Sequence, residues 1–199
     1  MSIFSRLLLL SISTFVLGCS AVSGFGSASV GISSLGSSLG TAGDPTGFKL
    51  TCEEARFVTL LNLYRQSQRL NVLKVSQNAV HSCRFHAQDM IDKNYFSHTE
   101  PDGRDFSGRA ASFNYGAWAE NIAAGYASGS ATFCQWKNSP GHDANMRGSH
   151  KTVGIGRASG GGQYGVYWSN NYGPSTNDTV AEPLTIDADC PMPTALPTC

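Results

Sequence analysis

The beginning of this chain constrains it most, because it sets the compartment in which everything after it folds. Arg6 is the single charge ahead of the Leu7–Leu17 run. That run is too short for a bilayer core, which takes about 20 helical residues, and has the form of a signal-peptide apolar region. Residues 1–18 are therefore expected to be a signal peptide. In an oxidising compartment, the six cysteines of the chain are expected to form disulfides rather than thiolate metal sites. No Cys-x-x-Cys spacing occurs, which argues against a zinc ribbon or a thioredoxin-like redox pair.

Val16-Leu17-Gly18-Cys19 resembles the lipobox of bacterial lipoproteins. The resemblance implies that Cys19 carries a diacylglycerol and becomes the new N-terminus. The alternative is a plain secretory signal cut a few residues later. Residues 19–45 then read as a lipidated cysteine followed by a tether. Ser20–Gly43 holds eight Ser, six Gly and no charge, too little apolar surface to offset the entropy of ordering it. With Cys19 modified, Cys52, Cys83, Cys134, Cys190 and Cys199 remain. Five thiols make at most two internal bridges, and the sequence leaves their pairing open.

The 199 residues suit one domain of ordinary size. Fourteen basic residues balance fourteen acidic ones, and only 14% of the chain is charged. A neutral, charge-poor chain lacks the basic stripe that duplex nucleic acid requires, so nucleic acid is not an expected partner.

The folded domain is expected over residues 46–175, followed by a Pro-rich, Cys-containing tail, 176–199. Thr51-Cys52-Glu53-Glu54 is a capping-box pattern, and Phe57, Leu60, Leu61 and Tyr64 continue it as one helical stripe. A second helix is read over about 76–93, with Val80, Cys83, Ala87, Met90 and Ile91 on one side. Glu100-Pro101-Asp102-Gly103 has the form of a type I turn, with a short helix over 105–113 after it. Trp118–Ala123 reads as a strand with Trp118, Glu120 and Ile122 on one face. Another helix is expected over 130–138, stopped by Pro140. Thr152–Ala158 and Gln163–Tyr172 alternate as the arms of a hairpin around Gly160–Gly162, a run without the Lys-Ser/Thr ending of a phosphate loop. Helices first and a hairpin last make the class α+β.

Five stretches carry the chemistry: Asn94-Tyr95-Phe96-Ser97-His98-Thr99, Ala119-Glu120-Asn121-Ile122, Trp136–His142, Val153-Gly154-Ile155-Gly156 and Tyr167–Gly173. In this order and spacing they resemble the bacterial branch of the CAP (SCP) superfamily, the cysteine-rich secretory and pathogenesis-related proteins, over about 57–173. The resemblance implies a three-layer α-β-α sandwich ending in the β-hairpin, with a cavity ringed by two histidines and two glutamates. In several members of the family the histidines hold a divalent metal, often zinc. Position by position, His98 and His142 are the two histidines and Glu120 the first glutamate. Ser139 stands where the second glutamate usually sits.

Read from the residues alone, His98 is a loop histidine and Glu120 a hydrogen-bonded structural acid. Two histidines and a carboxylate nonetheless form a ligand set for zinc with one position left for water. Ser139-Pro140-Gly141 reads as an N-cap with Pro at the first helical position, which makes Ser139 a cap rather than a nucleophile. His142 then lies in the first turn, where the positive helix end favours a neutral imidazole. No Gly-x-Ser-x-Gly elbow occurs. His81 and His86 are expected to be solvated, His150 a charge partner at the helix C-terminus or a loop residue, and Trp118, Trp136 and Trp168 core.

Three functions are compatible with this reading. The preferred one is a non-enzymatic binding module of the bacterial cell envelope for a small hydrophobic ligand or envelope component. Membrane attachment would run through the lipid anchor, at the outer membrane or cell surface, with plain secretion as the alternative. The others are a structural or interaction protein at the cell wall, and a metal-assisted peptidase or esterase using His98, His142 and Glu120, the last as candidate base.

Overall fold

The capping box forms as the sequence requires. In this computed structural model, which describes residues 48–180 and 189–199, Thr51 accepts from the Glu54 amide while Glu54 accepts from the Thr51 amide at 2.8 Å. Helix α1 (Cys52–Ser67) buries Phe57, Leu60, Leu61 and Tyr64 against the core. The signal peptide, Cys19 and the tether lie outside the described residues. Among those described, no helix is long and apolar enough to cross a membrane.

Five strands form one sheet in the order β2-β4-β3-β1-β5. They are β1 (Lys74–Ser76), β2 (Ala119–Ala124), β3 (Thr152–Gly161), β4 (Gly165–Gly173) and β5 (Thr179–Val180). β3 and β4 are the expected hairpin, and the expected strand at 118–123 is β2, paired antiparallel with β4. The hairpin turns over residues 162–164 rather than at the glycine triplet, because Gly160 and Gly161 are still part of β3. β1 and β5 are too short to declare themselves by alternation. β1 pairs parallel with β3, and β5, from the start of the tail, closes the far edge beside it.

Helices cover both faces, which gives the α-β-α sandwich. Alternation along β3 shows how: Val153 and Ile155 join the cluster that holds Phe57, Phe133 and Trp136, while Gly154 and Gly156 face helix α2 (Gln77–Asp92). A Cβ on Gly154 would strike Ala79, and one on Gly156 the Cys83–Arg84 backbone. The two glycines set how closely α2 lies on the sheet. Ser76 caps α2 by accepting from the Ala79 amide, and α3 (Phe106–Ala111) packs beside it.

The opposite layer holds α1, α4 (Gly129–Lys137) and α5 (Pro140–Arg147). Two bridges tie the tail to this layer, Cys52–Cys190 and Cys134–Cys199, while Cys83 stays free and buried. Arg65, 2% exposed, donates to the carbonyls of Met146 at 2.7 Å and Gly148 at 3.0 Å and so fixes the end of α5.

Two expectations are corrected. Trp118 is 57% exposed, because it sits one residue ahead of β2 and does not share the buried face of Glu120 and Ile122. His86 is fully buried rather than solvated. It lies on the side of α2 that carries Val80, Cys83, Ala87 and Met90, and only His81 faces water.

Candidate functional site

Strand β2 is an edge of the sheet, and the site is built around that edge. Two of its carbonyls bind side chains from the helical layer: Glu120 O accepts from Asn145 Nδ2 at 3.2 Å, and Ile122 O from Trp136 Nε1 at 3.1 Å. These bonds protect an edge that would otherwise offer unpaired groups to another chain. They also bring α4 and α5 to one side of β2. On the other side runs the loop that follows α2 and carries Phe96, Ser97 and His98. His86 holds this loop, its Nε2 lying 3.1 Å from the Ser97 carbonyl.

Glu120 lies behind the loop with its side chain fully buried, and each of its oxygens is engaged. Oε1 is 2.8 Å from His98 Nδ1. Oε2 accepts from the Arg109 guanidinium and, at 3.2 Å, from Ser169 Oγ. Arg109 is itself fully buried and also reaches the carboxylate of Glu100 and the His98 carbonyl, each at 3.4 Å. Arg104 closes the network on Glu100 at 2.6 Å. Since a carboxylate in an ion pair only accepts, His98 carries its proton on Nδ1, and in the neutral ring Nε2 is left as a bare acceptor. This is the carboxylate–histidine pairing that fixes an imidazole's tautomer and direction.

His142 is the third residue of α5 and packs against the Trp136 ring at a centroid distance of 6.2 Å. Burial holds its pKa below the ordinary histidine value, with the nearby His98 charge acting in the same sense. The direction matches the expectation of a neutral imidazole, but the cause is desolvation. Its Nδ1 is buried with no hydrogen-bond partner.

Between the loop, β2 and the two helices lies a cleft of about 490 Å³. Its apolar walls are Phe96, Ile122, Ala123, Ala124, Tyr126 and Tyr164. Its polar groups are Ser97, His98, Gln135 and His142. Gln135 Oε1, like His142 Nδ1, is buried without a partner.

The structure therefore brings His98 and His142 to one cleft, with Glu120 orienting His98 from behind. Ser139 stands apart: it occupies the N-cap position of α5, its hydroxyl makes no cap bond, and it does not line the cleft. Its backbone carbonyl accepts from the Asp143 amide at 2.8 Å instead. Among the described residues, no group of three or more His, Cys, Asp or Glu side chains is disposed to hold a metal ion. Two imidazoles face the cleft, and the carboxylate is already committed.

Sequence reasoning missed Arg109, Ser169, Gln135, Tyr126 and Tyr164. Arg109 had a readable signal, since an acid on the buried face of a strand requires a cationic partner. The aromatic walls had none, because they meet only through the pairing of β2 with the hairpin.

Comparison with known proteins places these features in context. Residues 58–172 match the family described as the cysteine-rich secretory protein family, CAP. The uncharacterised protein YkwD of Bacillus subtilis (strain 168) is 35% identical over 122 residues, 60% of this chain and 46% of that protein. An extracellular protein of Bacillus anthracis str. Ames that contains an SCP domain superposes with a TM-score of 0.54 at 28% identity, over 61% of this chain and 40% of its own. An outer surface protein of Borrelia burgdorferi superposes with a TM-score of 0.56 at 17% identity, over 65% of this chain and 99% of its own, a likeness of fold. The chain thus spans less than half the length of both Bacillus relatives.

Proposed function

The chain belongs to the cysteine-rich secretory protein family, and from that membership we propose that it is an exported binding module of the cell envelope whose cleft takes up a small uncharged ligand with apolar faces. The observation that carries this reading is the division of labour at β2. The cleft wall is apolar and aromatic with a few hydrogen-bonding groups, the usual make-up of a ligand pocket. The Glu120 carboxylate is buried behind it with both oxygens engaged, by His98, Arg109 and Ser169. A general base must come within hydrogen-bond reach of the proton it removes, and Glu120 does not line the cleft.

Export is supported by the two disulfides and by the Leu7–Leu17 run. The proposal includes a lipid on Cys19 and a tether over 19–45, on the strength of the Val16–Cys19 pattern and the Ser/Gly composition after it. If a divalent ion binds, His98 through Nε2 and His142 are the residues that hold it. Two imidazoles fall short of the three protein ligands of catalytic zinc sites, so no catalytic step is derived through an ion.

The reading is tested by offering ester and peptide substrates to the purified chain with and without zinc. The expected result is no turnover. Metal-dependent turnover abolished by Glu120→Gln would replace binding with hydrolysis.

A further inference from the structure

The chemistry of the cleft wall narrows the ligand, on the premise that the cleft is a binding site. Three aromatic side chains line it while remaining unusually open to solvent: Phe96 is 44% exposed, Tyr126 38% and Tyr164 46%. Phe96 and Tyr164 meet edge to face, with centroids 5.9 Å apart, and so form a stiff corner rather than a closed tunnel. Exposed rings around a concavity carry a cost in water that a stacked, flat, weakly polar partner relieves.

The polar groups are the second observation, and they are independent of the first. No Lys, Arg, Asp or Glu lines the cleft. His98 presents a bare Nε2, an acceptor, because its Nδ1 is held by Glu120. His142 brings its ring nitrogens to the same wall. The Gln135 amide brings both a donor and an acceptor, and neither its Oε1 nor His142 Nδ1 has a partner among the described residues. Ser97 Oγ accepts from the Thr99 amide at 3.1 Å and still has a hydroxyl proton to donate. Among the described residues the wall therefore holds no Lys, Arg, Asp or Glu, and it offers hydrogen-bonding groups on several sides.

A fatty acid has one charged end, for which this wall holds no fixed cation. A sterol has one hydroxyl, which can meet one of these groups and would leave the others dry. Each buried polar group left unpaired costs roughly ten-fold or more in affinity. A sugar ring fits the pattern better, because it has flat C–H faces for the rings and a hydroxyl for each polar group. From this pairing of open aromatic walls with hydrogen-bonding groups, two of them partnerless among the described residues, we propose that the cleft binds an uncharged pyranose ring of a glycan.

The test is calorimetric titration of the full chain, disulfides intact, with chitotetraose and with cellotetraose, and separately with palmitate and cholesterol. Saccharide binding is expected, weakened at least ten-fold by Tyr126→Ala and by Gln135→Leu and left within about three-fold by Tyr126→Phe, which keeps the ring. Unfolding midpoints of the three variants confirm that the fold persists. No saccharide binding at millimolar concentration, or binding that ignores both Tyr126→Ala and Gln135→Leu, overturns the proposal. Palmitate or cholesterol bound at the cleft with no saccharide overturns it too, yet leaves the binding-module reading standing. No cleft binding by any of the four probes removes both.

Discussion

Arg109 offers the most searching perturbation, because its removal leaves a defined charge stranded. The guanidinium and the Glu120 carboxylate are both fully buried and in direct contact. Glu100 keeps its partner Arg104 at 2.6 Å when Arg109 is lost, so the stranded charge is that of Glu120, left with His98 and Ser169. Removing one member of a buried pair costs about 3–5 kcal/mol, most of it the penalty on the remaining ion. Arg109→Met is therefore expected to lose about that much in urea unfolding at pH 7. Arg109→Met/Glu120→Gln, which strands nothing, is expected to recover at least half. A loss below about 1 kcal/mol would show that the pair is solvated and that Glu120 is free to act at the cleft.

Other outcomes follow from the packing. Burial pushes the His86 pKa down to about 4, so the unfolded chain takes up a proton near pH 6.5 that the native state refuses. Its contribution is complete above pH 6.5 and is lost as pH falls toward 4, about 3 kcal/mol in all. His86→Gln should flatten that slope in acid unfolding, and an unchanged slope contradicts the assignment. Gly156→Ala, whose Cβ would strike the α2 backbone, should cost about 2–3 kcal/mol, whereas Gly141→Ala, with nothing within 4 Å, should be neutral or stabilising; equal effects would refute the close approach of α2. Cys134→Ser/Cys199→Ser opens a bridge of sequence separation 65, worth about 4 kcal/mol in the chain-entropy account, and a wild-type unfolding midpoint would mean the tail is not tied.

What the sequence disclosed follows the range of the signals involved. The capping box at Thr51 and the stripe Phe57–Tyr64 are local, and α1 forms where they say. The hairpin strands alternate over enough residues to be read directly. β1 and β5 span three and two residues, and their pairing is decided by neighbours far along the chain. His98, Glu120 and His142 were legible because each stands in a recognisable local stretch. That Glu120 is a hydrogen-bonded structural acid was legible too, but its partners were not: Arg109, from the helix ahead of it, and Ser169, from a strand far beyond it, engage its second oxygen. Likewise, spacing alone placed His86 in solvent, while the position of α2 on the sheet buries it and makes it the support of the His98 loop.

The central claim is that the cleft at β2 holds a ligand. The most direct measurement is non-denaturing mass spectrometry of the chain after incubation with a mixed envelope extract of lipids and glycans, beside Ala124→Trp, which fills the cleft from its wall. The account predicts one added small molecule on the wild-type chain and none on the variant, with both folded. An unliganded wild-type chain, or equal loading of the two proteins, would contradict it.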